Sequence, residues 1–342
     1  MSANLLLTGA SGHVGFKVLV LALEAGYRVR AAVRNQDKAD AILATPSITS
    51  LSPGSNLSFT IVPDILAEGA YDEAVKGVTY VIHCASPIIT GVPPEKFESD
   101  IIQPALKGTM GILESAAKQS QIRRIVITSS EVAVVPPVEF FVEETGKDYQ
   151  DTGRIPFDSG PYANEFIAYG ASKARALVAS EEFIKTRKPS FDLINVMSSF
   201  VIGKNELVTD AKDILKGSNS AAFGQVLGRN GGATPSTSVF LDDVALVHVK
   251  ALDPKVAGNQ GFLVSSDGLE GTNWSDAKEI VARNFPKQVE EGVLPNNGSS
   301  ITKKLRLDSS KTEETFGIKL QPYETQVLSV TRHYLELVGA KA

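Results

Sequence analysis

Residues 5–17 read LLLTGASGHVGFK. A short apolar run ends at Thr8 and passes at once into glycines at 9, 12 and 15. A helical pattern follows, GFKVLVLALEAG over residues 15–26, closing on Gly26 as a helix C-terminus should. A parallel strand that ends at Thr8 places the next helix's amino terminus at the carboxyl edge of its sheet. Unpaired N–H groups and the helix dipole make that point an anion site. Gly9 permits the tight turn, Gly12 lets the backbone approach a pyrophosphate, and Gly15 allows helix and strand to pack closely. Ser11, His13 and Val14 complete the candidate binding turn. The spacing G-x-x-G-x-x-G is a variant of the dinucleotide fingerprint, here with a strand before it and a helix after it.

Working outward, apolar runs of strand length alternate with helical patterns. The runs are YRVRAAV (27–33), LSFTIVP (57–63), VTYVIHCAS (78–86), RRIVITSS (123–130) and FDLINVM (191–197). PALKGTMGILESAAKQ (104–119) and ASKARALVASEEFIKT (171–186) read as helices between them. Near-continuous Val, Ile and Leu in the strands predicts an α/β fold: a doubly wound, Rossmann-type parallel sheet covered on both faces. After residue 203 the rhythm changes. Residues 204–235 are polar, SVFLDDVALVHVKAL (238–252) reads as a strand turning into a helix, and shorter elements run to the amphipathic QVLSVTRHYLELV (326–338). The expected division is a dinucleotide-binding domain of residues 1–203 with 236–262, and a smaller substrate lobe of residues 204–235 with 263–342.

Composition narrows the function. The chain has 342 residues and a net charge of −5, with Lys and Arg scattered rather than striped, which argues against a nucleic-acid partner. Its single cysteine, Cys84, permits no internal disulfide, and its four histidines, His13, His83, His248 and His333, have no zinc spacing. The first residues, MSANLLLTGASG, lack a basic region and a membrane-length apolar stretch. A cytoplasmic, soluble enzyme acting on a small molecule, as a monomer or homodimer with no membrane partner, is the expectation. Cys84 and His83 read as residues of a core strand, His248 as structural, and Trp274 as an anchor of the second lobe.

Two features address the chemistry. The second strand ends AAVRNQDK, where a NAD site usually carries an acid for the ribose 2′-hydroxyl. Arg34 and Lys38 stand there instead, and a guanidinium fork with an ammonium suits a 2′-phosphate, hence NADP(H). Further on, YGASK places Tyr169 and Lys173 at i and i+4, on one face of a helix. A free phenol is a poor acid at neutral pH. An ammonium beside it stabilises the phenolate, so the phenol can protonate a carbonyl oxygen as a hydride arrives. An upstream strand ends in Thr128-Ser129-Ser130, and a serine hydroxyl there can hydrogen-bond the developing alkoxide.

Taken together, TGASGHVG (8–15), VIHCASP (81–87), TSS (128–130), YGASK (169–173) and VFLDDVA (239–245) resemble the extended short-chain dehydrogenase/reductase superfamily. R-x-x-x-K at 34–38, VPDI at 62–65 and HCASP at 83–87 are similar to its dihydroflavonol-reductase-like branch in particular. The resemblance runs over nearly the whole chain. It implies an NADPH-dependent reduction of an aldehyde or ketone by a triad of Ser130, Tyr169 and Lys173. Ser129 is the lesser candidate, and Lys173 also holds the nicotinamide ribose. It further implies Asp64 and Ile65 by the adenine, and Ala85, Ser86 and Pro87 along the cofactor path. Val196, Ser198 and Ser199 fall near the nicotinamide, with Ser198 where the family often has proline. The equivalent of Asp242–Asp243 caps the following helix in that family. Ile88, Glu131, Val132, Phe166, Met197 and Phe223 are candidate pocket residues. Two other readings compete: a NAD-dependent nucleotide-sugar epimerase or dehydratase, which Arg34 opposes, and a non-catalytic NADP-binding regulator, which the Tyr–Lys pair opposes.

Overall fold

The computed structural model describes residues 3–87, 90–142, 144–156 and 160–341; the candidate Ile88 lies outside them. The strands are β1 (Asn4–Thr8), β2 (Arg28–Val33), β3 (Leu57–Ile61), β4 (Tyr80–His83), β5 (Arg124–Ser130), β6 (Glu144–Tyr149), β7 (Asp192–Ser198), β8 (Phe200–Ile202), β9 (Asn230–Pro235), β10 (Ser238–Phe240), β11 (Gln260–Val264) and β12 (Ser299–Leu307). The α-helices are α1 (His13–Glu24), α2 (Gln36–Leu43), α3 (Pro46–Leu51), α4 (Gln103–Ala117), α5 (Glu165–Arg187), α6 (Asn219–Phe223), α7 (Leu241–Lys250), α8 (Asp276–Asn284), α9 (Pro286–Glu290), α10 (Ser310–Phe316) and α11 (Tyr323–Leu337).

Seven strands form one sheet in the order β11-β7-β5-β4-β1-β2-β3, and every pairing from β3 across to β5 is parallel. Leu5, Leu6 and Leu7 are each 0% exposed. Successive strand side chains point to opposite faces, so three in a row can be buried only if helices cover both faces. The expected doubly wound sheet is therefore present. Its order reverses between β1 and β4, the crevice where such sheets bind ligands.

The chain divides into two compact units. The first holds residues 1–137, 151–197 and 245–262; the second holds 138–150, 198–244 and 263–342. In the first unit, buried Arg124 opens β5 and is spent entirely on partners. Its Nε and Nη2 fork onto Asp192 at 2.6 and 2.8 Å, and Nη1 and Nη2 donate to the carbonyls of Ala251, Asp253 and Val256 at 2.7 Å. All five guanidinium donors are thus satisfied, as a buried cation requires.

In the second unit β6, β12 and β9 form a three-stranded sheet, and β8 pairs with β10. Trp274, fully buried, stands edge-on to Phe200 and Tyr323 and donates its indole N–H to the Pro235 carbonyl at 2.7 Å. Phe223 is fully buried in the same core, against Tyr334. One local expectation needs correction. Helix α5 begins at Glu165 rather than near 171, because Asn164 caps it by accepting from the Ile167 N–H at 3.0 Å. Tyr169 therefore lies in its second turn. Asp242 and Asp243 lie in the first turn of α7, and Asp243 accepts from the Gln321 N–H at 2.6 Å, bracing the start of α11 as well.

Candidate active site

Register brings the motifs to one edge of the large sheet. Thr8 lies beside Ala32 and His83, and His83 beside Ile127. The residues at or just beyond each strand's end, Gly9–Gly15, Arg34, Cys84–Pro87 and Thr128–Ser130, therefore leave the same edge.

The glycine turn is shaped by contacts no side chain would allow. Gly9 has φ +75°, and a Cβ there would fall 2.6 Å from the Ala85 nitrogen. A Cβ on Gly15 would lie 2.1 Å from the Gly9 carbonyl oxygen. Gly12 differs: it is exposed, it precedes His13 at the helix start, and a Cβ there would meet only the Gly9 oxygen, at 3.3 Å. Gly9 and Gly15 make the turn, and Gly12 leaves its outer face bare. Ser11 and Val14 are half-buried beside it.

Beneath the turn, the Thr8 hydroxyl shares a hydrogen bond with His83 Nδ1 at 2.8 Å and accepts from the Ala85 N–H at 3.2 Å. That link ties the end of β1 to the end of β4; no sequence pattern signals it, because Thr8 and Ala85 are far apart in the chain. Burial, with the Lys173 ammonium adding to it, pulls the His83 pKa down to about 3, so its imidazole is neutral. Burial pushes the Cys84 thiol up to about 12, which removes it as a thiolate nucleophile. His248 is buried and shares a hydrogen bond with Thr128 Oγ1 at 2.8 Å.

Arg34 directly follows β2, and Lys38 lies in the first turn of α2, whose cap is Asn35, accepting from the Lys38 N–H at 3.1 Å. Both cations are exposed, and neither head group is in an ion pair with any described residue. Asp64 is exposed beyond β3, its carboxylate accepting from the Leu66 N–H at 2.8 Å, while Ile65 packs on the core.

On α5, Tyr169 and Lys173 are half-buried on one face, with Lys173 Nζ 5.6 Å from the Tyr169 ring centroid. Lys173 Nζ donates to Ser86 Oγ at 3.1 Å. Helix and turn 131–133 pack together, so α5 lies against the residues that follow Ser130. Ser130 itself is half-buried, its oxygen facing the Val132 N–H at 3.5 Å. Glu131 and Val132 are buried, and Phe166 is half-buried on α5. Val196 and Met197 are buried within β7. Ser198 ends β7, and Ser199 gives both its N–H and its hydroxyl to the Val264 carbonyl, at 3.1 and 3.3 Å. Among the described residues no group of three or more His, Cys, Asp or Glu could hold a metal, and no helix is long and apolar enough to cross a membrane.

Known proteins resemble the chain over nearly all of its length. The family model described as NAD dependent epimerase/dehydratase family matches residues 5–264. Ketoreductase CTB6 of Cercospora nicotianae is 43% identical over 340 residues, spanning 97% of this chain and 95% of that protein. Ketoreductase sphI of Aspergillus fumigatus is 31% identical and covers 97% of this chain and 98% of its own. Among solved structures, yeast methylglyoxal/isovaleraldehyde reductase Gre2 complexed with NADPH has the same fold, with a TM-score of 0.82 at 23% identity over 99% of this chain and 100% of that one. With its glycine turn, its strand order and a family match over most of its length, the chain belongs to the NAD-dependent epimerase/dehydratase family of extended short-chain dehydrogenases/reductases.

Proposed function

We propose that the protein is an NADPH-dependent carbonyl reductase that converts an aldehyde or ketone to an alcohol. The observation that carries the reading is the Lys173 ammonium 5.6 Å from the Tyr169 ring, on a helix packed against the turn after Ser130. The names of two similar proteins, both ketoreductases, and the NADPH complex of Gre2 support it.

The residues present fit the cofactor. Gly12 leaves room at the helix amino terminus for a pyrophosphate. Arg34 and Lys38 are exposed cations just past the end of β2, suited to a 2′-phosphate. Lys173 would hold the nicotinamide ribose, Asp64, Ile65 and Ala85–Pro87 would line the remaining path, and Val196, Ser198 and Ser199 would stand at the nicotinamide end. Bound NADPH supplies a hydride to the carbonyl carbon. The chain supplies the rest. Tyr169 gives its phenolic proton to the carbonyl oxygen, and the Lys173 ammonium stabilises the phenolate left behind. The Ser130 oxygen is turned to the Val132 N–H, which leaves its own proton to donate to the same carbonyl oxygen.

Tyr169→Phe tests this. With NADPH oxidation followed over a panel of aldehydes and ketones, activity falls by about 10²-fold or more while NADPH binding is kept. A variant within a few-fold of the parent would remove Tyr169 as the acid.

A further inference from the structure

We propose that Ser86 is the positioning residue for the Lys173 ammonium, holding it beside Tyr169 without cancelling its charge; the inference rests on the acid role assigned to Tyr169 above. Lysine carries its charge on a flexible four-carbon stem, so a working distance from a phenol must be imposed from outside the side chain. Among the described residues the one polar side chain that accepts a hydrogen bond from Lys173 is Ser86, whose Oγ lies 3.1 Å from Nζ. No described carboxylate pairs with Lys173.

The chemistry of the anchor matters. An aspartate at this place would hold the ammonium equally well and would also neutralise it, removing the field that stabilises the phenolate. A hydroxyl is neutral and fixes the position alone. The nearby imidazole of His83 is uncharged, so it does not drive the ammonium away. The ammonium has three donors; Ser86 takes one and leaves two for ligand hydroxyls.

The anchor follows a residue whose backbone is tied to the sheet. Ser86 follows Ala85, whose N–H is bonded to Thr8 Oγ1 at 3.2 Å, and Thr8 is paired with buried His83. The position of Lys173 on α5 is thereby referred to the ends of β1 and β4, the same two strands between which the sheet order reverses. Ser86 and Lys173 are 87 residues apart in the chain.

The test uses the whole protein and reads the phenol directly. Tyrosinate absorbance is titrated for the parent and for Tyr169→Phe, and their difference isolates the titration of Tyr169. Against Tyr169→Phe/Ser86→Ala as its blank, Ser86→Ala moves that titration up by about half a pH unit or more, since a looser ammonium stabilises the phenolate less. Its kcat for carbonyl reduction, read at saturating NADPH, falls about five- to tenfold. Ser86→Thr, which keeps the hydroxyl, restores both. An unmoved titration, a loss confined to KM for NADPH, or a Thr variant as impaired as the Ala variant would each overturn the inference. Tyr169→Phe separates the two levels. If it keeps its activity, the acid assignment itself falls. If it is inactive while Ser86→Ala behaves as the parent, only the role of Ser86 falls.

Discussion

Gly12 and Gly15 look alike in the sequence, and alanine at each has a different consequence. At Gly15 the new Cβ would stand 2.1 Å from the Gly9 carbonyl oxygen and 2.7 Å from its carbon. Restoring an ordinary contact of 3.4 Å moves backbone by roughly 1.3 Å, and Gly9 is itself wedged against Ala85. Overpacking of this kind costs about 1–3 kcal/mol, which exceeds the helix-propensity gain of about 1 kcal/mol for Gly→Ala. At Gly12 the backbone is extended, with φ −104° and ψ 171°, and the Cβ meets only one atom at 3.3 Å. Folding loses about 1 kcal/mol there, from the less favourable cap. The Gly12 Cβ does, however, cover the bare face proposed above to receive the cofactor's pyrophosphate. Losing one charge-assisted hydrogen bond of about 1.5–3 kcal/mol weakens binding by about 10- to 100-fold. Fluorescence titration with NADPH and thermal melting of both variants decide the matter. Gly12→Ala keeps a melting temperature within a few degrees of the parent while its Kd for NADPH rises at least about tenfold. Gly15→Ala loses both stability and affinity. A Gly12→Ala protein that melts like the parent and binds NADPH within twofold of it would refute the assignment of this turn to the pyrophosphate.

Three other expectations follow from the same geometry. Ser130→Ala lowers reductase activity more than Ser129→Ala, because adjacent strand residues face opposite ways; equal losses in a steady-state assay would reverse the assignment. NADPH is preferred over NADH by at least about tenfold in kcat/KM. Arg34→Ala erases most of that preference by harming NADPH use, and added salt narrows it, whereas a variant that keeps the preference would show that Arg34 merely faces water. Burial, reinforced by Asp242 and Glu313 and opposed by the Gln321 N–H, raises the Asp243 carboxyl to about 6. A carboxyl raised in the folded state is protonated more readily there than in the unfolded chain, so its contribution is full below the ordinary value of 3.8 and is lost as pH rises through about 6. Asp243→Asn therefore raises the melting temperature near pH 7.5 and changes it little near pH 4; equal shifts at the two pH values would contradict that linkage.

What is legible in the chain is local. LLLTGASGHVGFK announces its strand, turn and helix because backbone periodicity and the need for glycine act within a dozen residues. Tyr169 and Lys173 share a helix face for the same reason, and Arg34 is placed by standing directly after a strand. Even there the apolar pattern, which begins near 171, misplaces the start of α5, since the Asn164 cap outranks it. Strands β6, β9 and β12 carry no clear strand signal because they are short on apolar side chains: the burial pattern of β9 is mostly exposed, and its pairing with β12 joins residues about seventy apart. Partnerships across such distances have no periodic signature. Gly9 against Ala85, Arg124 with Asp192 and three carbonyls, Asp243 under Gln321, and Lys173 on Ser86 are all set by the register of the strands and the packing of helices on them. Sequence alone determined which residue types could do the chemistry and on which elements they ride. Only the tertiary structure decided which side chains meet, because hydrogen-bond partners are chosen by distance in space, and folding sets that distance independently of separation along the chain.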